Sequence, residues 1–250
     1  MHALLLSAGF GTRLRPLTDN IPKCLVEING VPLLEYWLKM LTDAGIHQIL
    51  VNLHYKAEKV TDFIKNSKYQ PFVKLVYEDK LLGTGGTLLK NIDFFNGEAI
   101  MLIHADNLSL FNMADFIRRH NERPSDTEIT MMTFTTTTPK SCGIVQLDEQ
   151  GIVKAFFEKS QNPPGNLASA ALFIMEPTVL DFLRQFNKEE FDFSAEVIPH
   201  YVNRIFTYHN ETYHRDIGTM ESLEIAKKKF PIVFEEYQKK KSARINQKTL

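Results

Sequence analysis

Three groups of residues in this chain are of the right type and spacing to do chemistry on phosphates. The first is Ser7-Ala8-Gly9-Phe10-Gly11-Thr12-Arg13, which follows the apolar run His2–Leu6 directly, with Arg15 and Lys23 a little further on. Gly9 and Gly11 permit tight turns and let backbone N–H groups face phosphate oxygens, and Arg13, Arg15 and Lys23 add concentrated positive charge. The second is a pair of aspartates, Asp106 just after the apolar run Ile100–Ile103 and Asp216 ahead of a helical pattern. Mg²⁺ takes one or two carboxylates together with phosphates and water, so two aspartates converging from distant positions suit it. The third is Glu158-Lys159, which ends a strand-like run beside the loop Gln161-Asn162-Pro163-Pro164-Gly165-Asn166.

Each group also has a plainer explanation. A glycine pair can be a strand-end turn, and an aspartate after a strand can be a turn former or an N-cap. Glu158-Lys159 can be an exposed ion pair worth ~0–1 kcal/mol. The loop is not a Walker A motif, because no Gly-Lys-Ser/Thr ends it. It is not a dinucleotide fingerprint either, because Leu14 stands where the third glycine belongs. The eight histidines form no metal-binding spacing, and His104, beside Asp106, reads as a packed or hydrogen-bonded ring. Ser7 lies in no Gly-x-Ser-x-Gly context, which argues against a hydrolase elbow.

These residues need a scaffold. Strand-like runs alternate with helical patterns through the first half. Helices are expected at Pro32–Ala44, at Lys56–Lys65, after Gly85-Gly86 and at Met113–Asn121. Strands are expected at His2–Leu6, Ile46–Leu53, Val73–Tyr77 and Ile100–Ile103. This alternation predicts βαβ units and an α/β fold with a doubly wound, mostly parallel sheet. The second half has short strands at Ile129–Phe134, Ile144–Leu147, Val153–Phe157 and Ala170–Met175, which predict a mixed or antiparallel subregion. Helices follow at Pro177–Phe186 and Met220–Lys229. The last stretch, with Lys239-Lys240-Lys241-Ser242-Ala243-Arg244, reads as a fraying basic tail.

The chain has 250 residues, 29 Lys+Arg against 30 Asp+Glu, and 44% hydrophobic residues. That balance argues against a basic nucleic-acid surface and against disorder. No apolar run is long enough to span a membrane. Cys24 and Cys142 are the only cysteines, so neither a disulfide framework nor a cysteine zinc site is expected, and a cytoplasmic location follows as the default.

The stretch Leu4 to Thr18, with Pro22-Lys23-Cys24-Leu25 and Gly30-Val31-Pro32-Leu33-Leu34-Glu35, resembles the signature of the sugar-1-phosphate nucleotidyltransferases. Four later segments resemble the same family in the same order. They are Glu78 with Leu82-Gly83-Thr84-Gly85-Gly86-Thr87; Ile100–Asp106; Gly143-Ile144-Val145 through Phe157-Glu158-Lys159; and Asp216-Ile217-Gly218-Thr219. The Leu82–Gly86 segment looks most like guanylyltransferases acting on mannose or heptose phosphates.

The resemblance implies a single domain over 1–230, with a nucleotide half (1–125) and a sugar-phosphate half (126–230), followed by the tail 231–250. It implies that Leu6, Ala8, Gly9, Gly11, Thr12, Arg13, Lys23, Glu78, Gly83 and Thr84 contact the nucleotide, with Glu78 accepting from the guanine N1–H and N2–H. Asp106, Gly143, Glu158, Lys159 and Ser169 would contact the sugar phosphate, and Asp106 and Asp216 would hold Mg²⁺. Arg13, Lys23, Asp106 and Asp216 would be catalytic. Substrates would be an NTP, GTP by preference, and a sugar 1-phosphate, with no nucleic-acid or membrane partner; a homodimer stays open. Ala105, Cys142 and Ser169-Ala170-Ala171 depart from the family pattern, which usually has glycine, an aromatic and Asn-Ala-Gly there. The rival readings are a uridylyl- or thymidylyltransferase of the same fold, a catalytically inactive nucleotide-sugar sensor, and a nicotinamide oxidoreductase.

Overall fold

The computed structural model describes the backbone of residues 1–248 and side chains through residue 240. In the first half β1 (His2–Leu6) leads into a hairpin of β2 (Glu27–Ile28) and β3 (Val31–Pro32), then α1 (Leu33–Asp43), β4 (Ile49–Leu53), α2 (Ala57–Lys65) and β5 (Val73–Tyr77). Next come α3 (Gly83–Lys90), α4 (Ile92–Phe95), β6 (Ile100–His104), β7 (Asn107–Leu110) and α5 (Met113–Asn121). The second half holds β8 (Ile129–Thr135), β9 (Gly143–Leu147), β10 (Val153–Glu158), β11 (Leu167–Met175), α6 (Pro177–Leu183), β12 (Ile205–His209), β13 (Tyr213–Asp216) and α7 (Met220–Lys248).

Among the described residues, nine strands form one sheet. β6, β1, β4 and β5 are parallel neighbours, and β11, β9 and β10 extend the order beyond β6 in antiparallel sense. β8 pairs β11, and β12 lies parallel to β8. The expected doubly wound sheet with a mixed subregion is therefore present. The strand expected over Ile46–Leu53 begins at Ile49, because the Ile46 N–H still bonds the Leu41 carbonyl and belongs to the end of α1.

Every residue of β4 is buried, as a central parallel strand covered on both faces must be. On one face Leu34, Trp37, Leu38 and Leu41 of α1 pack with Val51, Met101 and Ile103. Their i, i+3, i+4, i+7 spacing gives α1 one apolar stripe. On the other face α3, α6 and the turn Phe193–Val197 pack over Leu4, Leu50, Leu102 and Phe173.

The segment from residue 231 to 240 is not a fraying tail. α7 continues through it, and Phe230, Val233, Phe234 and Tyr237 pack with Leu14, Ile28, Leu33 and Ile217. Their spacing is that of one helical face. Pro231 sits inside the helix and removes one backbone hydrogen bond at a cost of ~3 kcal/mol. The burial of the ring stack around Phe230 offsets this. Of the basic run, Lys241, Ser242, Ala243 and Arg244 lie outside the residues whose side chains are described.

One packing feature links the core to pH. His120, at the end of α5, is 1% exposed, and its Nδ1 lies 2.8 Å from Thr130 Oγ1 of β8. Burial, and then the charge of Arg123, pushes its pKa down to about 3. Unfolding restores a value near 6.5, so between these values the unfolded chain binds one more proton than the folded one. Stability is therefore full above about pH 6.5 and falls as pH drops toward 3, by up to ~1.4 kcal/mol per unit. We expect His120→Gln to reduce that pH slope when urea midpoints are compared at pH 7.5 and 5. An unchanged slope would mean that the ring already titrates normally.

Candidate active site

β6 ends at His104, and two residues later Asp106 leaves the C-terminal edge of the sheet, where ligands bind in open α/β folds. β13 pairs antiparallel with β7 and sets Asp216 opposite Asn107, while the Ile217 N–H bonds the Asp106 carbonyl at 3.2 Å. This pairing brings together two aspartates that are far apart in sequence. Lys23, in the short helical turn Lys23–Leu25, reaches into the gap: its Nζ donates to Asp106 Oδ2 at 2.6 Å and to Asp216 Oδ1 at 3.1 Å. Arg13 Nη2 stands 3.8 Å from Asp216 Oδ2 and is largely exposed.

The electrostatics follow from this geometry. Lys23 is only 8% exposed. Burial pulls its pKa down, but Asp106 and then Asp216 outweigh it and hold the ammonium above its ordinary value. Burial pushes Asp106 up, but Lys23 and then His104 outweigh it and hold the carboxyl below its usual range. Gly218 completes the cluster, since a Cβ there would lie 2.5 Å from Asp216 Oδ2 and 2.7 Å from Arg13 Nη2. His214, on the strand that ends in Asp216, bonds Ser109 Oγ through Nδ1 at 2.7 Å. Burial pushes it to about 3 despite Asp106, so it is neutral near pH 7. Reasoning from the sequence singled out neither Gly218 nor His214.

Two carboxylates meet at one point here, and among the described residues no group of three or more His, Cys, Asp or Glu does so. An oxygen-only pair is the donor set of a cation whose other ligands are phosphate and water, and it suits Mg²⁺.

The glycine loop lies beside this cluster. Gly11 adopts φ 63°, and a Cβ there would press on Thr18 Cγ2 at 3.0 Å, so this turn calls for glycine. Thr12 opens the short turn Thr12–Leu14, which carries Arg13. Leu6 accepts from the Ala105 N–H, which couples the loop's start to the segment carrying Asp106. Ala8 is buried, and Gly9 has open space around it.

On the nucleotide side, Glu78 and Thr84 already have protein partners. Glu78 is 1% exposed. Its Oε1 accepts from Thr87 Oγ1 at 2.6 Å and Asn52 Nδ2 at 3.2 Å, and its Oε2 from the Leu82 N–H at 3.4 Å. Asn52 Oδ1 in turn accepts from the Ser7 N–H at 2.7 Å. Glu78 thus ties together the ends of β1, β4 and β5 and the start of α3. Gly83, exposed and at φ 71°, must be glycine, since a Cβ there would meet the Phe191 carbonyl oxygen at 2.4 Å. Thr84 is engaged with Asp192 Oδ2 at 3.0 Å and the Phe193 N–H at 2.7 Å. The signal for this network was Asn52, a polar residue inside the apolar run Ile49–Leu53.

A consequence is measurable. Glu78→Ala removes the acceptor of the Leu82 N–H and leaves Asn52 Nδ2 only Thr87 Oγ1 at 3.4 Å, while Thr87 Oγ1 keeps the Gly83 carbonyl at 2.9 Å; a buried group left unmatched costs ~1–3 kcal/mol. We expect at least ~2 kcal/mol of lost stability by urea denaturation. A residue serving only as a base acceptor would leave the midpoint unchanged.

Gly143, Glu158, Lys159 and Ser169, expected from the sequence to contact the sugar phosphate, lie on the second subregion. β11 carries β8 along one edge; its other edge pairs with β6 over Leu172–Met175 and with β9 at Ala168. The irregularity between Ser169 and Phe173 marks this change of partner. Ala171 there takes φ 50°, and Ser169 Oγ turns onto the Ala171 N–H at 3.2 Å. The β9–β10 hairpin continues from that point, with Glu158 opposite Gly143. A Cβ at Gly143 would lie 2.8 Å from Glu158 Oε2, so glycine leaves the carboxylate room. Lys159, at φ 45° and largely exposed, has Nζ 3.3 Å from Glu158 Oε1.

A glycine loop, a basic pair and two converging aspartates at the C-terminal edge of a doubly wound sheet define a phosphate-handling α/β protein. The chain belongs to the nucleotidyl transferase family, whose model matches residues 2–231. It is 31% identical over 226 residues to a mannose-1-phosphate guanylyltransferase of Mycobacterium tuberculosis, covering 88% of this chain and 62% of that protein. It is 34% identical over 184 residues to the mannose-1-phosphate guanylyltransferase catalytic subunit beta of Drosophila melanogaster, covering 72% of this chain and 49% of that one. The chain thus spans about half to three-fifths of the length of these relatives. Among solved structures, HddC from Yersinia pseudotuberculosis complexed with GMP-PN aligns with TM-score 0.74 at 23% identity, covering 92% of this chain and all of that one. At that identity the likeness concerns the fold.

Proposed function

We propose that this chain transfers a nucleotidyl group from an NTP, GTP by preference, to a sugar 1-phosphate of mannose or heptose type, releasing pyrophosphate. The observation that carries this reading is the convergence of Asp106 and Asp216 on Lys23 beside the glycine loop. The names of the mannose-1-phosphate guanylyltransferase relatives favour guanine and mannose. An intact Lys23–Asp106–Asp216 grouping argues against an inactive sensor, and the lack of a third glycine at Leu14 argues against a nicotinamide enzyme.

The chemistry asks little of a general base. The second pKa of a phosphate monoester is about 6, so the attacking oxygen of the sugar phosphate is largely ionised at pH 7. It forms a bond to the α-phosphorus as the bond from that phosphorus to the bridging oxygen breaks, and the electron pair leaves with pyrophosphate. The obstacle is holding two polyanions in line. The glycine-loop N–H groups and Arg13 receive the triphosphate, and Lys159 receives the sugar phosphate from the opposite wall. Lys23 holds Asp106 and Asp216 together and adds positive charge at their junction. Mg²⁺ held by Asp106 and Asp216 supplies further charge neutralisation at the phosphate oxygens when bound. Functionally the chain then divides near residue 125, the nucleotide lying on the first half and the sugar phosphate on the second.

The test is a matrix of four NTPs against several sugar 1-phosphates, read by pyrophosphate release. GTP with mannose or heptose 1-phosphate should give the highest kcat/KM. A matrix won by UTP or dTTP would replace the guanylyl reading with its uridylyl or thymidylyl alternative.

A further inference from the structure

Ala171 sits where β11 changes partner, at the edge of the site. β11 runs antiparallel to β6 with Leu172 opposite Ile103, so Ala171 lies at the level of His104, the last residue of β6. Leu6 pairs with His104 from the other side. Six non-glycine residues take positive φ among the described residues; five are asparagine or lysine, and the sixth is Ala171 at 50°. A left-handed backbone strains an alanine, and a glycine would adopt it freely.

The polar backbone groups beside the Ala171 methyl are already bonded. The Ala171 N–H donates to Ser169 Oγ at 3.2 Å. The Ala170 carbonyl accepts from Asn107 Nδ2 at 3.1 Å, and Asn107 directly follows Asp106. Ala171 is half-buried and packs, like Leu6 and Phe156, against the core cluster that contains Phe173. Glu158 lies two residues beyond Phe156 on β10 and therefore on the same face of the sheet. A Cβ at Gly143 would meet both of them, Phe156 Cζ at 2.5 Å and Glu158 Oε2 at 2.8 Å. The methyl of Ala171, the side chain of Leu6 and the carboxylate of Glu158 thus share one face of the sheet.

We infer that Ala171 determines which sugar the site accepts, by placing an apolar methyl on the floor of the sugar-phosphate site. The inference rests on the proposed function for its substrate. A sugar phosphate received by Lys159 sets its ring between Glu158 and the Asp106-Asn107 segment, above Ala171. A hydroxyl directed at this floor gives up water and meets a methyl beside an N–H and a carbonyl that are both engaged, whereas a C–H loses nothing there. The site therefore favours a sugar 1-phosphate that turns a deoxy carbon or a C–H edge toward Ala171. The strained alanine is what keeps this floor apolar and shallow.

The test is calorimetric binding of mannose 1-phosphate and its 2-, 3-, 4- and 6-deoxy analogues to the wild type and Ala171→Gly, with kcat/KM measured for the same sugars. The variant loses strain, so it should melt at or above the wild type. In the wild type one deoxy analogue should bind at least as tightly as mannose 1-phosphate. In Ala171→Gly the preference at that position should move toward the parent sugar by roughly 10-fold, the scale of one methyl group in a pocket. The other deoxy analogues and NTP affinity should be unchanged. The same sugar pattern in both proteins overturns the inference, as does an equal shift for all five sugars, which would mark a purely structural role, or a failure of both proteins to bind any of them. A shift at one position in a protein that gives no product with any NTP would refute the proposed function and leave the role of Ala171 standing.

Discussion

Asp106→Asn and Asp216→Asn should each lose at least ~100-fold in kcat, the scale of removing one charge-stabilising group from a preorganised site. The expectation rests on geometry: both carboxylates reach one ammonium, Lys23 Nζ, at 2.6 and 3.1 Å. Each asparagine keeps the size of the side chain and removes its charge. The fold should survive, because Lys23 keeps one carboxylate partner in each variant. The loss should appear in kcat and kcat/KM together, as for a contact made in the transition state. Excess Mg²⁺ should recover part of it if the defect is weakened cation binding. Near-normal kcat in either variant would remove that residue from the chemistry.

Lys159→Ala should act differently. Lys159 directly follows β10, and among the described residues its Nζ pairs with a neighbouring carboxylate, Glu158, at 3.3 Å. An exposed pair of this kind contributes little to stability, so its removal should leave the melting temperature unchanged. A charge-assisted contact to phosphate is worth ~1.5–3 kcal/mol. The KM for sugar 1-phosphate should therefore rise roughly 10- to 150-fold, while NTP affinity, measured alone by calorimetry, stays near the wild type. Equal weakening of both substrates, or of neither, would return Glu158-Lys159 to an ordinary surface pair.

The parallel half of the fold was legible in the sequence because its strands are continuous apolar runs and its helices have single apolar stripes; Met113–Asn121 is the same in pattern and in structure. The meeting of Asp106 and Asp216 was not legible from local pattern. It depends on the register of two four-residue strands, β7 and β13, and so short a pairing leaves no periodic signature. Only resemblance to a family linked the two residues beforehand. The protein partners of Glu78 were not legible for a related reason: spacing shows that a carboxylate ends a strand, but not whether Asn52 and Thr87 turn inward to bond it. The helix past Lys229 was not legible because the basic run beyond it reads as a tail, whereas the apolar face at Phe230, Val233, Phe234 and Tyr237 has meaning only against the partners it covers.

The most direct test of the central claim is label transfer from GTP carrying ³²P at the α-phosphate, incubated with the protein, mannose 1-phosphate and Mg²⁺. The account predicts label in GDP-mannose, one pyrophosphate released per label transferred, and no product when EDTA is present. Pyrophosphate released without a labelled sugar nucleotide would make the site a hydrolase. No transfer from any of the four NTPs to any sugar 1-phosphate would contradict the reading of Asp106, Asp216 and Lys23 as a working nucleotidyl-transfer centre.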